Sequence, residues 1–214
     1  MITQRRTFLA FVTTGLAALL PAGKQALASR GPASPADQDR QGEVVQRIVL
    51  DLNKAADRQQ VKGQWRVGSG LVPGEPNEGL TAQLLGSPAR LADYDDSGWE
   101  VTSDIRVRRS IGFTCAWYRI VVELPEQVDG VAVAGSRVWF ETICDNYGEI
   151  WIDGQINRST GGIAGLDAPQ RVEVSARAVP GARHVIACLA VNGPLAQPGG
   201  NIYIRYATLA FEGG

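Results

Sequence analysis

Residues Val138 to Gln155, VWFETICDNYGEIWIDGQ, constrain the fold more than any other stretch of the chain. Two runs, Val138 to Cys144 and Glu149 to Asp153, alternate apolar and polar side chains. That period belongs to a strand with one face in a core and the other toward water. Between them, Asp145-Asn146-Tyr147-Gly148 is rich in residues that tolerate left-handed turn geometry. The segment therefore predicts an antiparallel hairpin, and the second run stops at Asp153-Gly154. Trp139, Tyr147 and Trp151 ride on it, with Trp151 expected to pack inside.

The rest of the chain reads as further strands punctuated by turns. Gln64 to Val67 is a short strand, Ala116 to Leu124 a longer one stopped by Pro125, and Arg171 to Ala176 a third. Pro180-Gly181 turns the chain into His184 to Val191, and Asn201 to Phe211 closes it. Gly68 to Arg90 is interrupted by Gly74, Pro76, Gly79, Gly86 and Pro88, so no regular element is expected there. No internal repeat and no strand–helix alternation is found, which excludes a propeller and a parallel α/β sheet. An all-β sandwich or jelly roll over residues 61–214 is predicted. Residues 43–60 break the pattern. Val45, Ile48, Val49, Leu52 and Ala56 recur at helical spacing, which predicts one short amphipathic helix. Its apolar stripe at Val45–Ala56 either packs on the domain or docks on a protein partner.

Residues 1–28 read as an address. Thr3-Gln4-Arg5-Arg6-Thr7-Phe8-Leu9 resembles the twin-arginine export motif, Phe8 to Leu20 supplies an apolar segment too short to span a bilayer, and Ala26-Leu27-Ala28 offers a cleavage site before Ser29. Residues 29–42 follow as a flexible linker rich in Ser, Pro and Ala. A periplasmic or secreted location is expected, with no membrane span after cleavage. The leader holds Arg5, Arg6 and Lys24 and no acid, so of the 21 basic and 22 acidic residues the mature part keeps 18 and 22. A mildly acidic product without a basic run makes nucleic acid an unsuitable partner. Cys115, Cys144 and Cys188 fall in predicted strands at spacings that match no metal motif and are read as small buried hydrophobes, with one disulfide left open. No cofactor motif is present.

Three motifs in order resemble a known family. Asp93-Tyr94-Asp95-Asp96-Ser97-Gly98-Trp99 is similar to the Asp-Asp-Ser-x-Trp segment of galactose-binding-like jelly rolls, including the sugar-binding domain of family 2 glycoside hydrolases. Trp117-Tyr118-Arg119 with Leu124-Pro125 resembles the strand that follows it there, and Val138 to Gln155 resembles the next hairpin. A closer resemblance is to the module attached to secreted gluconolactonase-like propeller proteins, through Asp145 to Gly154, Asn192-Gly193-Pro194 and Arg205 to Leu209. The likeness covers about Asp93 to Phe211 and implies a galactose-binding-like β-sandwich. No propeller sequence accompanies it in this chain, so lactonase chemistry does not carry over, and neither does a glycosidase acid pair.

The candidate sites are weighed accordingly. Asp145, Asn146, Tyr147 and Glu149, with Asn192 from a nearby loop, provide a ring, carboxylates and amides suited to a polyhydroxylated ligand. Hairpin and core requirements explain the same residues structurally. Asp93, Asp95 and Ser97, with Asp104 in a twelfth position, mimic the start of a calcium loop, although turn formation accounts for them equally. His184 and Cys115 are the components of a conceivable dyad, Arg106, Arg108 and Arg109 of a small basic face, and Ser159 to Gly162 of a loop with no phosphate-binding pattern. The expectation is an exported, non-catalytic module that binds a carbohydrate or, as the alternative, a structural subunit docking on another exported protein.

Overall fold

The computed structural model describes residues 46–71, 87–107, 114–192 and 201–213, all within one compact unit, Val44–Gly214. The leader and linker over residues 1–42 lie outside the described residues, as do Val45, Arg108, Arg109 and the loop 193–200. In chain order the elements are β1 (Arg47–Asp51), α1 (Ala55–Gln60), β2 (Trp65–Leu71), β3 (Glu100–Thr102), β4 (Thr114–Glu123), β5 (Gln127–Val128), β6 (Val131–Ala132), β7 (Arg137–Asp145), β8 (Tyr147–Ile152), β9 (Ile163–Ala164), β10 (Gln170–Ser175), β11 (Arg183–Asn192) and β12 (Tyr203–Glu212). A short 3₁₀ turn, Pro88–Arg90, precedes β3.

Two antiparallel sheets face each other. One has the order β1-β12-β7-β10 and the other β3-β2-β4-β11-β8-β9, with β5-β6 as a separate small hairpin. Alternation fills the space between them. Leu50, Phe140, Val172, Leu209 and Phe211 come from the four-stranded sheet and Trp65, Tyr118, Ile120, Ile150 and Ile186 from the six-stranded one, each 3% exposed or less. Burying a side chain of this size contributes about 1.5–3 kcal/mol. The Trp65 indole N–H is satisfied by the Leu52 carbonyl at 2.9 Å, so its polar atom is not stranded in the core.

Two expectations are corrected. The segment 43–60 is not one amphipathic helix. Arg47–Asp51 is a strand paired along its length with β12, and only Ala55–Gln60 is helical. The apolar residues fit both periods, but Leu50, outside the helical stripe, is 1% exposed while Val49, within it, is 41% exposed. β-Branched Ile48 and Val49 suit the pleated sheet, and pairing with β12 decides between the two periods. The helix proposed for partner docking at Val45–Ala56 is therefore a strand over Arg47–Asp51, with only Ala55 and Ala56 of that segment helical.

Nor do β7 and β8 form a hairpin. They belong to different sheets, and the chain crosses from one to the other at Asp145–Asn146. Alternation cannot separate the two arrangements, because strands facing each other across a core and strands side by side both bury every second residue. Long-range pairing settles it: β7 lies between β12 and β10, while β8 lies between β11 and β9. The stop at Asp153-Gly154 is a tight turn, with both residues at positive φ and paired Ile152–Gln155 backbone bonds of 2.9 Å.

Candidate functional site

The outer face of the six-stranded sheet carries the candidate site, and a buried arginine organises it. Arg119, on the outward side of β4, is 1% exposed. Its guanidinium donates to Asp96 Oδ2 at 2.8 Å and to the carbonyls of Ala89 at 2.6 Å, Leu91 at 2.9 Å and Tyr94 at 3.4 Å, and it lies 5.5 Å from the Tyr94 ring centroid. A buried charge of this kind persists only when its donors are matched. The Asp-Asp-Ser-x-Trp and Trp-Tyr-Arg motifs are thus two halves of one clamp, which holds residues 87–99 over the sheet. Trp99 lies flat on Gly68, where an added Cβ would stand 2.4 Å from the indole.

The clamp also accounts for the carboxylates read as a calcium loop. Asp95 Oδ1 accepts from the Ser97 backbone N–H at 2.9 Å, a turn that holds the Asp95 carboxyl below its ordinary range. Asp96 pairs with Arg119, and Asp104 takes Arg106 at 3.0 Å and Asn53 at 3.3 Å. Asp93 is exposed. Among the described residues no group of three or more His, Cys, Asp or Glu side chains is placed to hold a metal. Asp95 and Ser97 serve the turn and Asp96 serves the clamp.

On β8 the outward positions are Tyr147, Glu149 and Trp151, all half-buried, while Gly148, Ile150 and Ile152 face the core. The Tyr147 hydroxyl donates to Glu149 Oε1 at 2.9 Å and the Trp151 indole N–H donates to Glu149 Oε2 at 3.1 Å. The carboxylate is thereby fixed between two rings. Burial, then the hydrogen bond to Glu149, pushes the Tyr147 phenol up to about 12. The β8–β11–β4 register places Leu189 and Trp117 beside Glu149, and Val191 and Cys115 beside Tyr147. Trp151 therefore packs outside the intersheet core, against Ala89, Trp117 and Ala187, with the Arg90 guanidinium 5.2 Å from its centroid. That corrects its expected place inside. The result is a half-buried strip along β8, the trough, in which one ordered carboxylate stands between two aromatic rings.

The other expected ligand residues are placed differently. Asn146 is half-buried at the crossover and donates to Asp145 Oδ1 at 2.7 Å. Asp145 is 7% exposed and Asn192 is fully buried, so neither lines the trough. The structure brings Tyr147 and Glu149 together and adds Trp151, which the i, i+2, i+4 spacing along the strand signals. A His184–Cys115 dyad is excluded. Opposite His184 on β4 stands Val122, and Cys115 stands opposite Val191, seven residues away or roughly 24 Å along a strand. The His184 Nδ1 meets Asp153 Oδ2 at 2.7 Å instead. Burial, then the charge of Glu149, pushes the Cys115 thiol up to about 11, which leaves it unreactive at neutral pH. All three cysteines are free.

No protein-family model and no curated protein matches the chain. Among solved structures it is similar to a calcium-binding mutant of Bacteroides uniformis beta-glucuronidase 2, at 16% identity and a TM-score of 0.50, over 78% of this chain and 18% of that one. A beta-glucuronidase from glycoside hydrolase family 2 matches at 17% identity and a TM-score of 0.49, over 79% of this chain and 18% of that one. The Faecalibacterium prausnitzii beta-glucuronidase matches at 15% identity and a TM-score of 0.48, over 80% of this chain and 32% of that one. The chain spans less than a third of the length of each. At 16% identity the first of these likenesses shows the fold alone, an antiparallel β-sandwich.

Proposed function

We propose that the protein is a non-catalytic carbohydrate-binding module whose contact surface is the trough on β8. One observation carries this reading: the Glu149 carboxylate held between the Tyr147 hydroxyl and the Trp151 indole N–H on the outward face of the strand. Sugars are bound through aromatic rings against their C–H faces and fixed acceptors for their hydroxyls, and a preorganised carboxylate loses little freedom when it accepts one. The fold shared with a beta-glucuronidase, over 78% of this chain and 18% of that one, supports a carbohydrate as the class of ligand. The leader sequence supports export, and the module works outside the cytoplasm under this reading.

Glycan-array screening followed by calorimetric titration tests the proposal. Tyr147→Ala and Glu149→Gln are each expected to weaken the best glycan by about tenfold, the cost of one lost charge-assisted hydrogen bond, while leaving thermal stability within a few degrees of the parent. A chain that retains no glycan, or variants that bind as well as the parent, contradicts the proposal.

A further inference from the structure

An open groove of about 770 Å³ lies at the edge of the sandwich, between the turn after β8 and the outer strand β10. Resting on the carbohydrate reading, we propose that this groove extends the trough and selects glycans that carry a carboxylate, with Arg158 as the anion anchor. Its floor is apolar, made by Ile152, Val172 and Val174, each 9% exposed or less. Its rim is polar and exposed, from Gln155, Asn157, Arg158 and Ser159. An apolar floor with amides and a hydroxyl above it matches a pyranose, which has a C–H face and a hydroxyl edge.

Charge decides which pyranose. The two acids at the groove are already engaged. Asp153 accepts from the Val185 N–H at 2.7 Å and meets His184 at 2.7 Å, and Glu173 pairs with Arg137 at 3.3 Å. The Arg158 guanidinium makes no hydrogen bond or ion pair with a described residue. It therefore offers its planar donor set to a ligand, the geometry that carboxylates accept in bidentate fashion.

The loop that presents Arg158 is fixed. Asn157 Oδ1 accepts from the Ser159 N–H at 3.1 Å and its hydroxyl at 2.8 Å, and the Asn157 carbonyl accepts from Gly162 at 3.0 Å. Gln170 Nε2 ties the loop to both sheets through the carbonyls of Gly148, Gly161 and Gly162. Gly161 sits on the β10 backbone, where a Cβ would lie 3.1 Å from the Arg171 carbonyl oxygen. The Arg158 charge also acts on the Tyr147 phenol, lowering it against the effect of burial.

The test uses a matched pair of probes, an oligouronide as free acid and as methyl ester, which differ in charge and share their hydroxyls. Calorimetry on the full chain is expected to show the acid bound about fivefold more tightly, the upper range for an exposed ion pair. The preference shrinks as salt is raised. Arg158→Gln brings acid and ester together, whereas Tyr147→Ala weakens both. Equal binding of acid and ester by the parent, an unchanged preference in Arg158→Gln, or a groove that instead takes an extended peptide along β10 overturns the inference. If neutral glycans bind and the acid has no advantage, only this inference fails. If no glycan of either kind binds, the carbohydrate reading fails with it.

Discussion

Arg119 shows how one side chain converts two sequence motifs into a surface. It meets four groups of the 87–99 segment, one of which, Asp96, also pairs with Arg66 of β2 at 3.5 Å. Arg119→Met is expected to cost about 3 kcal/mol, because it removes the shorter partner of Asp96 and the donor to the Ala89, Leu91 and Tyr94 carbonyls; urea denaturation measures it. Gly68→Ala forces a methyl group into the Trp99 ring and is expected to cost about 1–3 kcal/mol by overpacking. At this scale the sequence was partly legible. Tyr147 and Glu149 stood out as a ring and a carboxylate suited to a polyhydroxylated ligand, but Tyr147 read as part of the turn, whereas it opens β8 and shares a strand face with Glu149. Asp145 and Asn192 did not declare their burial, which depends on the crossover and on residues far away in the chain. Gly68 read as a break in regular structure, yet it lies within a strand and makes room for an indole.

Elements were legible where long alternating runs left only one period. β4, β10, β11 and β12 fall within a few residues of their expected bounds; β10 buries every second side chain, while β4, β11 and β12 are buried on both faces for part of their length. Residues 43–60 were not, because a short apolar run satisfies two periods and the choice belongs to a partner strand some 160 residues away in sequence. The two assignments make opposite predictions for neighbouring positions. With β1 a strand, Leu50→Ala is expected to cost about 3 kcal/mol and Val49→Ala less than about 1 kcal/mol. Equal or reversed costs in urea denaturation would return the segment to the helical reading. The free edge of β1 is itself guarded. The Asp51 N–H is capped by Asp57 Oδ2 at 2.7 Å and its carbonyl by the Lys54 N–H at 2.8 Å, which blunts the edge against further strand pairing.

For the whole molecule, the order of strands between the two sheets was not legible, although the sandwich was. Alternation states that a face is buried but not what covers it. Buried protonated groups give the assembled sandwich a pH signature. Burial raises Cys144 to about 12 and Cys115 to about 11 from an ordinary 9.0, and Tyr147 to about 12 from 10.0. Above pH 9 the unfolded chain releases these protons while the folded chain keeps them, so stability present below pH 9 is lost as pH rises through 11 to 12. Thermal melts are expected to shift downward steadily from pH 9 to pH 11. A flat profile across that window would contradict the burial of the thiols and the phenol.

The claim at the centre, that sugar is gripped from the outward side of β8, has a direct spectroscopic readout. The five tryptophans supply five indole N–H resonances in a nitrogen-15 correlation spectrum. On titration with an array-selected glycan, the Trp151 resonance is expected to move in proportion to occupancy, while Trp65 in the core and Trp139 on the opposite sheet stay in place. A glycan that moves Trp139 and leaves Trp151 still would contradict the account.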